Sequence, residues 1–233
     1  MALIRSRQAL VDCRTQLVNH VPKERSSPSG PACPSARPGA STTRRPSTSP
    51  RRFWRPWDPS WSRSPRSQIA SLTERIRQYD RQLESISRER YPETGLLRQV
   101  EGVGPLTVLT FVLTLEDPYR FEKSRSVGAY LGLVPATARS GDRDPQKRIS
   151  KEGDEMLRRL LVSGAHYILG PFGSDSDLRR HGEKIASRGA KNSKKRAVVA
   201  VARKLAVLLH SLWMSAEVYE PLRNAHSCGG QAA

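Results

Sequence analysis

The chain has 233 residues, 36% of them apolar and 27% charged, with a mean hydropathy of −0.59, which is apolar material for one modest domain and little more. A net charge of +18 and an isoelectric point near 10.7 concentrate polyanions around it, making nucleic acid the first partner to consider and acidic membrane surfaces the rival. No stretch approaches the roughly 20 apolar residues of a spanning helix and no signal-peptide run opens the chain, so a cytoplasmic protein with no membrane partner is expected, while Cys13, Cys33 and Cys228 are too few and too far apart for a disulfide framework or a Cys-x-x-Cys metal site.

Residues 1–21 read as an isolated helix, because Leu10, Arg14, Leu17, Val18 and Val21 recur at spacings of three and four. From Pro22 to Ser67 there is no Leu, Ile, Val or Met, and Pro, Ser and Arg dominate, so the segment is expected to be disordered. Over residues 1–67 there are 13 Lys and Arg against 3 acids, and 27 against 19 in the remainder, which places more than half the net charge outside any expected fold. The segment is either an unstructured basic tail or, given the abrupt loss and return of aliphatic residues, a stretch read in a shifted frame and corrected near Gln68. Over residues 68–90, Ile69, Leu72, Ile76, Tyr79, Leu83 and Ile86 follow spacings of 3, 4, 3, 4, 3, an a/d seam of about two and a half heptads. Such a helix either meets a second copy through residues 69–86, giving a homo-oligomer, or lies on its own domain.

After Pro92 a short helix, the turn Gly102-Val103-Gly104 and the apolar run Leu106 to Leu115 follow one another, with Pro105 placed for a first helical turn. This is the pattern of a helix-hairpin-helix motif, whose free N–H groups hold a phosphate oxygen without reading bases. The alternative is a plain turn between core helices. The second helix is apolar on every side and is expected to be the buried centre of the domain.

Arg139-Ser140-Gly141 follows, with Arg143, Lys147 and Arg148 close by in sequence. A serine nucleophile needs an exposed, glycine-permitted turn and cations to stabilise charge on phosphoryl oxygens, and Ser140 meets both conditions. On its residues alone the segment reads first as a solvated basic loop. Ser150, followed by Lys151-Glu152-Gly153, reads as the N-cap of a helix over 151–168. That helix carries Leu157, Leu160, Leu161, Gly164, Ala165 and Ile168 on one face, with Arg158 and Arg159 on another, either clamping phosphate or solvated. A last long helix is expected from Ser193 to Met214. Lys191, Lys194, Lys195, Arg196, Arg203 and Lys204 accompany it with no acid among residues 190–204. Cations at a helix start oppose the macrodipole, so an anion, most simply a backbone phosphate, is expected there.

Five ordered blocks carry a resemblance: the glycine pair of residues 102–104, Gly132-Leu133-Val134-Pro135, Ser140-Gly141, Ile149-Ser150-Lys151-Glu152-Gly153, and the Arg-bearing helix Leu157-Arg158-Arg159-Leu160-Leu161. From about Ile69 to Tyr219 the sequence resembles the C-terminal domain of the insertion sequence 110/116/902 family of transposases. Leu10-Val11, Arg14-Thr15, Leu17 and Asn19 are similar to the family's interdomain segment. The resemblance implies a recombinase built from two parts, an RNase H-like domain with four acidic Mg²⁺ ligands and the present domain, in which Ser140 attacks DNA phosphate. Only a few residues precede the interdomain-like segment, and Asp12, Glu24 and Asp58 lie apart, so the metal-binding part is expected to be missing here and the chain inactive alone.

The expectation is therefore an all-α protein, with a helix-hairpin-helix domain over 91–219 preceded by a disordered Pro/Ser/Arg-rich segment and a heptad-patterned helix, and followed by a disordered tail over 220–233. Its expected function is DNA binding in transposition at the nucleoid, with Ser140 catalytic and Gly102, Val103, Gly104, Arg139, Arg143, Lys147, Arg148, Lys151, Arg158, Arg159, Lys191, Lys194, Lys195 and Arg196 on DNA. The chain itself is expected to bind no metal or cofactor, Mg²⁺ belonging to the other domain of a complete relative. The resemblance also implies assembly and a structured guide RNA. Two other readings stay open: a non-catalytic helix-hairpin-helix binding module, and the product of a decayed frame that never folds.

Overall fold

The computed structural model describes residues 1–20, 65–136, 148–190 and 192–223. The regular structure among the described residues is helical, apart from a single antiparallel bridge between Pro135 and Ile149. In chain order the α-helices are α1 (Ala2–His20), α2 (Pro65–Arg90), α3 (Glu93–Leu97), α4 (Pro105–Leu115), α5 (Arg125–Tyr130), α6 (Glu155–Leu169), α7 (Asp177–Ala186) and α8 (Ser193–Ser215), with a 3-10 turn at Pro118–Arg120. The all-α expectation is met. The disorder expected over 22–67 falls mostly outside the described residues, as does most of the tail expected over 220–233, and α2 begins at Pro65, just upstream of where aliphatic residues return.

The chain divides into two compact units, residues 8–77 and residues 1–7 with 78–233. In the first, Leu10, Val11, Arg14 and Leu17 of α1 are half-buried, and so are Ile69 and Leu72 of α2, while Ile76 is buried. In the second, Ile4 packs with Leu83 and Leu109, and the Arg7 guanidinium pairs with the Asp80 carboxylate. Two positions of the heptad seam, Ile76 and Leu83, are thus covered within a single chain.

The core of the larger unit is built on α4 and α8. Val108, Leu109, Phe111, Val112 and Leu115 are at most 3% exposed, so α4 is buried as its almost wholly apolar sequence predicts. Each such side chain taken from water stabilises the fold by roughly 1.5–3 kcal/mol. Two of the three α4 threonines bond back along the helix, Thr110 Oγ1 donating to Leu106 O and Thr114 Oγ1 to Thr110 O, both at 2.7 Å. Helix α8 packs against α3, α5, α6 and α7. By length and composition it could cross a membrane, contrary to the sequence reading, but its apolar stripe of Val201, Ala202, Leu205, Ala206 and Leu209 is wholly buried in the core.

One polar side chain is locked into this core. His210 Nε2 lies 2.9 Å from the Pro118 carbonyl, and Nδ1 lies 2.9 Å from Ser124 Oγ. A carbonyl only accepts, so Nε2 carries the proton, and the ring ties α8 to the 3-10 turn and to the start of α5. Phe121 meets the same ring edge-on at 5.7 Å.

Sequence patterning did not anticipate the short α5, nor, with more consequence for packing, helix α7. Its apolar face is only Leu178, Gly182 and Ile185, and Gly182 stands where a larger residue would mark the stripe. A Cβ at Gly182 would lie 2.5 Å from Leu169 Cδ2 and 2.7 Å from Val201 Cγ2, so the glycine is what lets α7 approach α6 and α8. The local signal was the cap: Ser176 accepts from Arg179 N at 3.2 Å, and Asp177 occupies the first turn.

Candidate nucleic-acid interface

The Gly102-Val103-Gly104 turn connects α3 to α4. Gly102 has φ +78°, which side-chain-bearing residues rarely adopt, and its carbonyl packs against α6 at Gly164. Val103 is buried and its N–H donates to Val100 O at 3.2 Å. Gly104 is exposed, with open space around it, and is the N-cap of α4, with Pro105 following and no side chain capping the helix. Gly102 therefore serves packing against α6, and Gly104 is the more open of the pair.

The two blocks flanking residues 137–147 pair with each other. Ala136 N donates to Arg148 O at 2.9 Å, Ser150 N to Val134 O at 2.9 Å, and Lys151 N to Gly132 O at 3.2 Å. Gly132 and Gly153, both at positive φ, make this crossing possible. A Cβ on Gly132 would lie 2.3 Å from Glu152 O, and one on Gly153 would lie 2.2 Å from Tyr130 O. Arg158 fastens the same crossing, its Nη1 donating to Leu131 O at 3.1 Å and to Glu152 O at 2.8 Å. Arg148 and Lys151 are exposed on this stem, and Arg159 is exposed on α6 one residue beyond Arg158. Ser140, Arg139, Arg143 and Lys147 lie outside the described residues.

Ser150 does not cap α6. The helix begins at Glu155, and its N-cap is Asp154, whose Oδ1 accepts from Leu157 N at 2.7 Å. The Ser150 hydroxyl is buried and finds no hydrogen-bond partner among the described residues. The physical reason is that residues 148–151 are held by the stem, so the chain reaches helical geometry only after the left-handed Lys151 and Gly153.

On α8, Lys194, Lys195 and Arg196 are exposed in the first turns, as expected, and Lys191 lies outside the described residues. The α8 N-cap, Asn192, is left-handed at φ +67° and makes no side-chain cap bond. Lys184 and Arg188, in and just after α7, are exposed cations that sequence reading had not gathered, and with Lys204 of α8, one of the expected α8 cations, they stand around His181. That imidazole holds its proton less tightly than an ordinary one because of burial and then the fields of Lys204, Arg188 and Lys184. Near the turn, Glu101 is held below the usual carboxylate range by accepting from Ser174 Oγ at 2.6 Å and Ser174 N at 3.2 Å.

This is an all-helical, cation-rich domain built on a Gly-x-Gly turn and a glycine-crossed stem, and its relatives agree on a class. Residues 94–181 match the Transposase IS116/IS110/IS902 family. The transposase for insertion sequence element IS1111A of Coxiella burnetii is 31% identical over 155 residues, covering 66% of this chain and 41% of that protein. A probable family 20 transposase of Pseudomonas aeruginosa is 31% identical over 157 residues, covering 67% of this chain and 45% of the relative. The transposase for insertion sequence element IS1328 of Yersinia enterocolitica is 34% identical over 98 residues, 42% of this chain and 29% of the relative. Through residues 94–181 the chain is similar to the IS116/IS110/IS902 transposase family, and it spans less than half the length of these relatives.

Proposed function

We propose that this chain is the DNA-binding C-terminal part of an insertion-sequence transposase, with Ser140 attacking DNA phosphate when a complete partner supplies the metal-binding domain. The observation that carries the reading is the paired stem, which brings the Gly-Leu-x-Pro and Ile-x-Lys-x-Gly blocks together at the two ends of the segment bearing Ser140. In the attack an Oγ–P bond forms and one P–O ester bond to the sugar breaks. The proton lost from the serine ends on the departing sugar oxygen, so the number of phosphoester bonds is unchanged.

Around that reaction, the exposed Gly104 and the uncapped start of α4 are suited to a backbone phosphate, and Arg139, Arg143, Lys147, Arg148, Lys151, Arg159, Lys191, Lys194, Lys195 and Arg196 supply positive charge. Arg158 spends one nitrogen on the stem and offers the rest of its guanidinium. Among the described residues no three His, Cys, Asp or Glu side chains converge, so Mg²⁺ would be held by acids elsewhere and no step is routed through it here. Assembly of two copies through residues 69–86 would use Ile69, Leu72, Tyr79 and Ile86, because Ile76 and Leu83 are covered within one chain. A structured guide RNA and action at the bacterial nucleoid belong to the same proposal.

The test mixes this chain with a full-length relative whose serine is inactivated, together with element-end DNA and Mg²⁺, and looks for a covalent protein–DNA adduct. An adduct abolished by Ser140→Ala supports the reading. DNA binding with no adduct replaces it with a non-catalytic binding module, and the absence of any cooperative unfolding replaces it with the product of a decayed frame.

A further inference from the structure

Helices α7 and α8 converge on a shallow groove lined by Ile185, Arg188 and Ala190 on one side and Ser193, Arg196 and Ala200 on the other. Three of the lining residues, Ala190, Ser193 and Ala200, are small, so an elongated ligand could approach the backbone closely. Along α7, His181, Lys184 and Arg188 fall at spacings of three and four and so share one face, which runs on from Arg188 past the end of the groove's lining. Along α8, Lys204 lies two turns beyond Arg196.

The charge here differs from that on the rest of α7. Arg179 and Arg180 are neutralised by Glu183 at 2.9 Å and Asp175 at 2.7 Å. Arg179 also donates to the Ile168, Gly170 and Gly173 carbonyls. Lys184, Arg188 and Lys204 are exposed and, among the described residues, no acid across the groove offsets them at His181, where the fields that act are those of these three cations. Of the other neighbours, α6 meets this part of α7 through the apolar Leu169 side chain at Gly182, and Asp177, one turn before His181, acts on Arg180 and Tyr219. Holding like charges together is unfavourable in isolation and becomes favourable when an anion of matching length lies between them.

We propose that the α7–α8 groove is a second nucleic-acid site that seats a phosphodiester backbone, with Lys184, Arg188 and Lys204 contacting phosphates and His181 as a protonatable contact among them. This rests on the functional reading above and extends it to a helix which that reading did not use. The groove reads charge and spacing and no base edge, so it tolerates any sequence. Burial and then the cation fields disfavour the charged form of His181, and a phosphate within reach opposes those fields and favours that form. Docking then takes up a proton, and binding tightens as pH falls below the ordinary imidazole range.

The experiment uses the full chain and fluorescein-labelled duplex DNA of arbitrary sequence, with single-stranded RNA as a second probe. Affinity is measured by anisotropy across a salt series at pH 7.5 and pH 5.5. The expected result is that Lys184→Gln with Arg188→Gln lowers the slope of log affinity against log salt by about two contacts' worth, ~0.9 for each phosphate released on duplex DNA. His181→Gln removes the gain in affinity on going to the lower pH, and the His181 imidazole resonance of the wild type titrates at higher pH once nucleic acid is bound. If the slope falls for RNA and not for duplex DNA, the groove stands and its backbone is RNA. Wild-type binding with an unchanged slope and an unchanged His181 titration overturns the groove and leaves the functional reading in place. A wild-type chain that binds neither probe overturns both.

Discussion

Gly102 and Gly164 meet backbone to backbone. A Cβ built on Gly164 would lie 2.8 Å from the Gly102 carbonyl oxygen, and one on Gly102 would lie 3.0 Å from the Gly164 carbonyl oxygen. The turn proposed to face phosphate is thus seated on α6 by a contact that leaves no room for a side chain. Gly164→Ala is expected to cost about 1–3 kcal/mol, as overpacking of a closed site does. In a domain of this size that is about 2–4 °C of melting temperature per kcal/mol. Gly104→Ala, which enters open space, is the matched control and should change the melting temperature far less. Equal effects of the two substitutions in differential scanning calorimetry would contradict the packing.

Two residues compete for the start of α6, and the structure separates them. Asp154→Ala removes the acceptor for Leu157 N and should cost about 1 kcal/mol. Ser150→Ala removes a buried hydroxyl that has no partner among the described residues, so it should be neutral or stabilising. Urea unfolding of both variants checks this. A Ser150→Ala loss as large as that of Asp154→Ala would restore Ser150 as the cap.

Arg179 closes the end of α6. Its Nη1 shares protons among the carbonyls of Ile168 at 3.1 Å, Gly170 at 2.8 Å and Gly173 at 2.8 Å, while Nε bonds Glu183. Arg179→Lys keeps the charge and loses the planar fork, so it should destabilise by about 1.5–3 kcal/mol, the range for hydrogen bonds to a charged group. Glu183→Gln, which touches only the exposed ion pair, should cost well under that. The comparison is read from chemical denaturation midpoints.

His181 makes stability depend on pH. Its ordinary value is 6.5 and burial, followed by the Lys204, Arg188 and Lys184 fields, lowers it in the folded chain. The unfolded chain therefore takes up the proton first, so stability is full above the ordinary value and declines as pH falls through it toward the folded value. Thermal melts between pH 7.5 and pH 5 should show a decline that His181→Gln reduces. A variant with the same pH profile as the wild type would remove His181 from the linkage.

The period of the apolar residues makes α1, α2, α4, α6 and α8 legible in the sequence, and the dense apolar run of α4, broken only by threonines, marks it as the centre of the core. Helix α7 escaped because its stripe contains Gly182, and that glycine is explained only by the approach of distant helices, which bring the Leu169 side chain of α6 and Val201 of α8 against it. The pairing of residues 132–136 with 148–151 escaped for a related reason. Each segment is only a few residues long, and its hydrogen bonds close across residues with no alternation of their own. Arg158 and Arg179 look in sequence like any exposed cation, yet both donate to main-chain carbonyls that other segments bring to them.

The sequence by itself determined that this is a basic, helical protein with its charge divided between a Pro/Ser/Arg-rich segment and a domain, and it carried the ordered blocks of the transposase family. Those properties follow from composition and local periodicity, which backbone geometry and apolar burial convert into helices without reference to distant residues. Only the tertiary structure decided which glycine of the turn packs against α6, which residue caps α6, and which cations act on His181. These are matters of separation between elements: a Cβ fits or fails to fit against a carbonyl many residues away, and like charges become neighbours only when two helices are packed side by side.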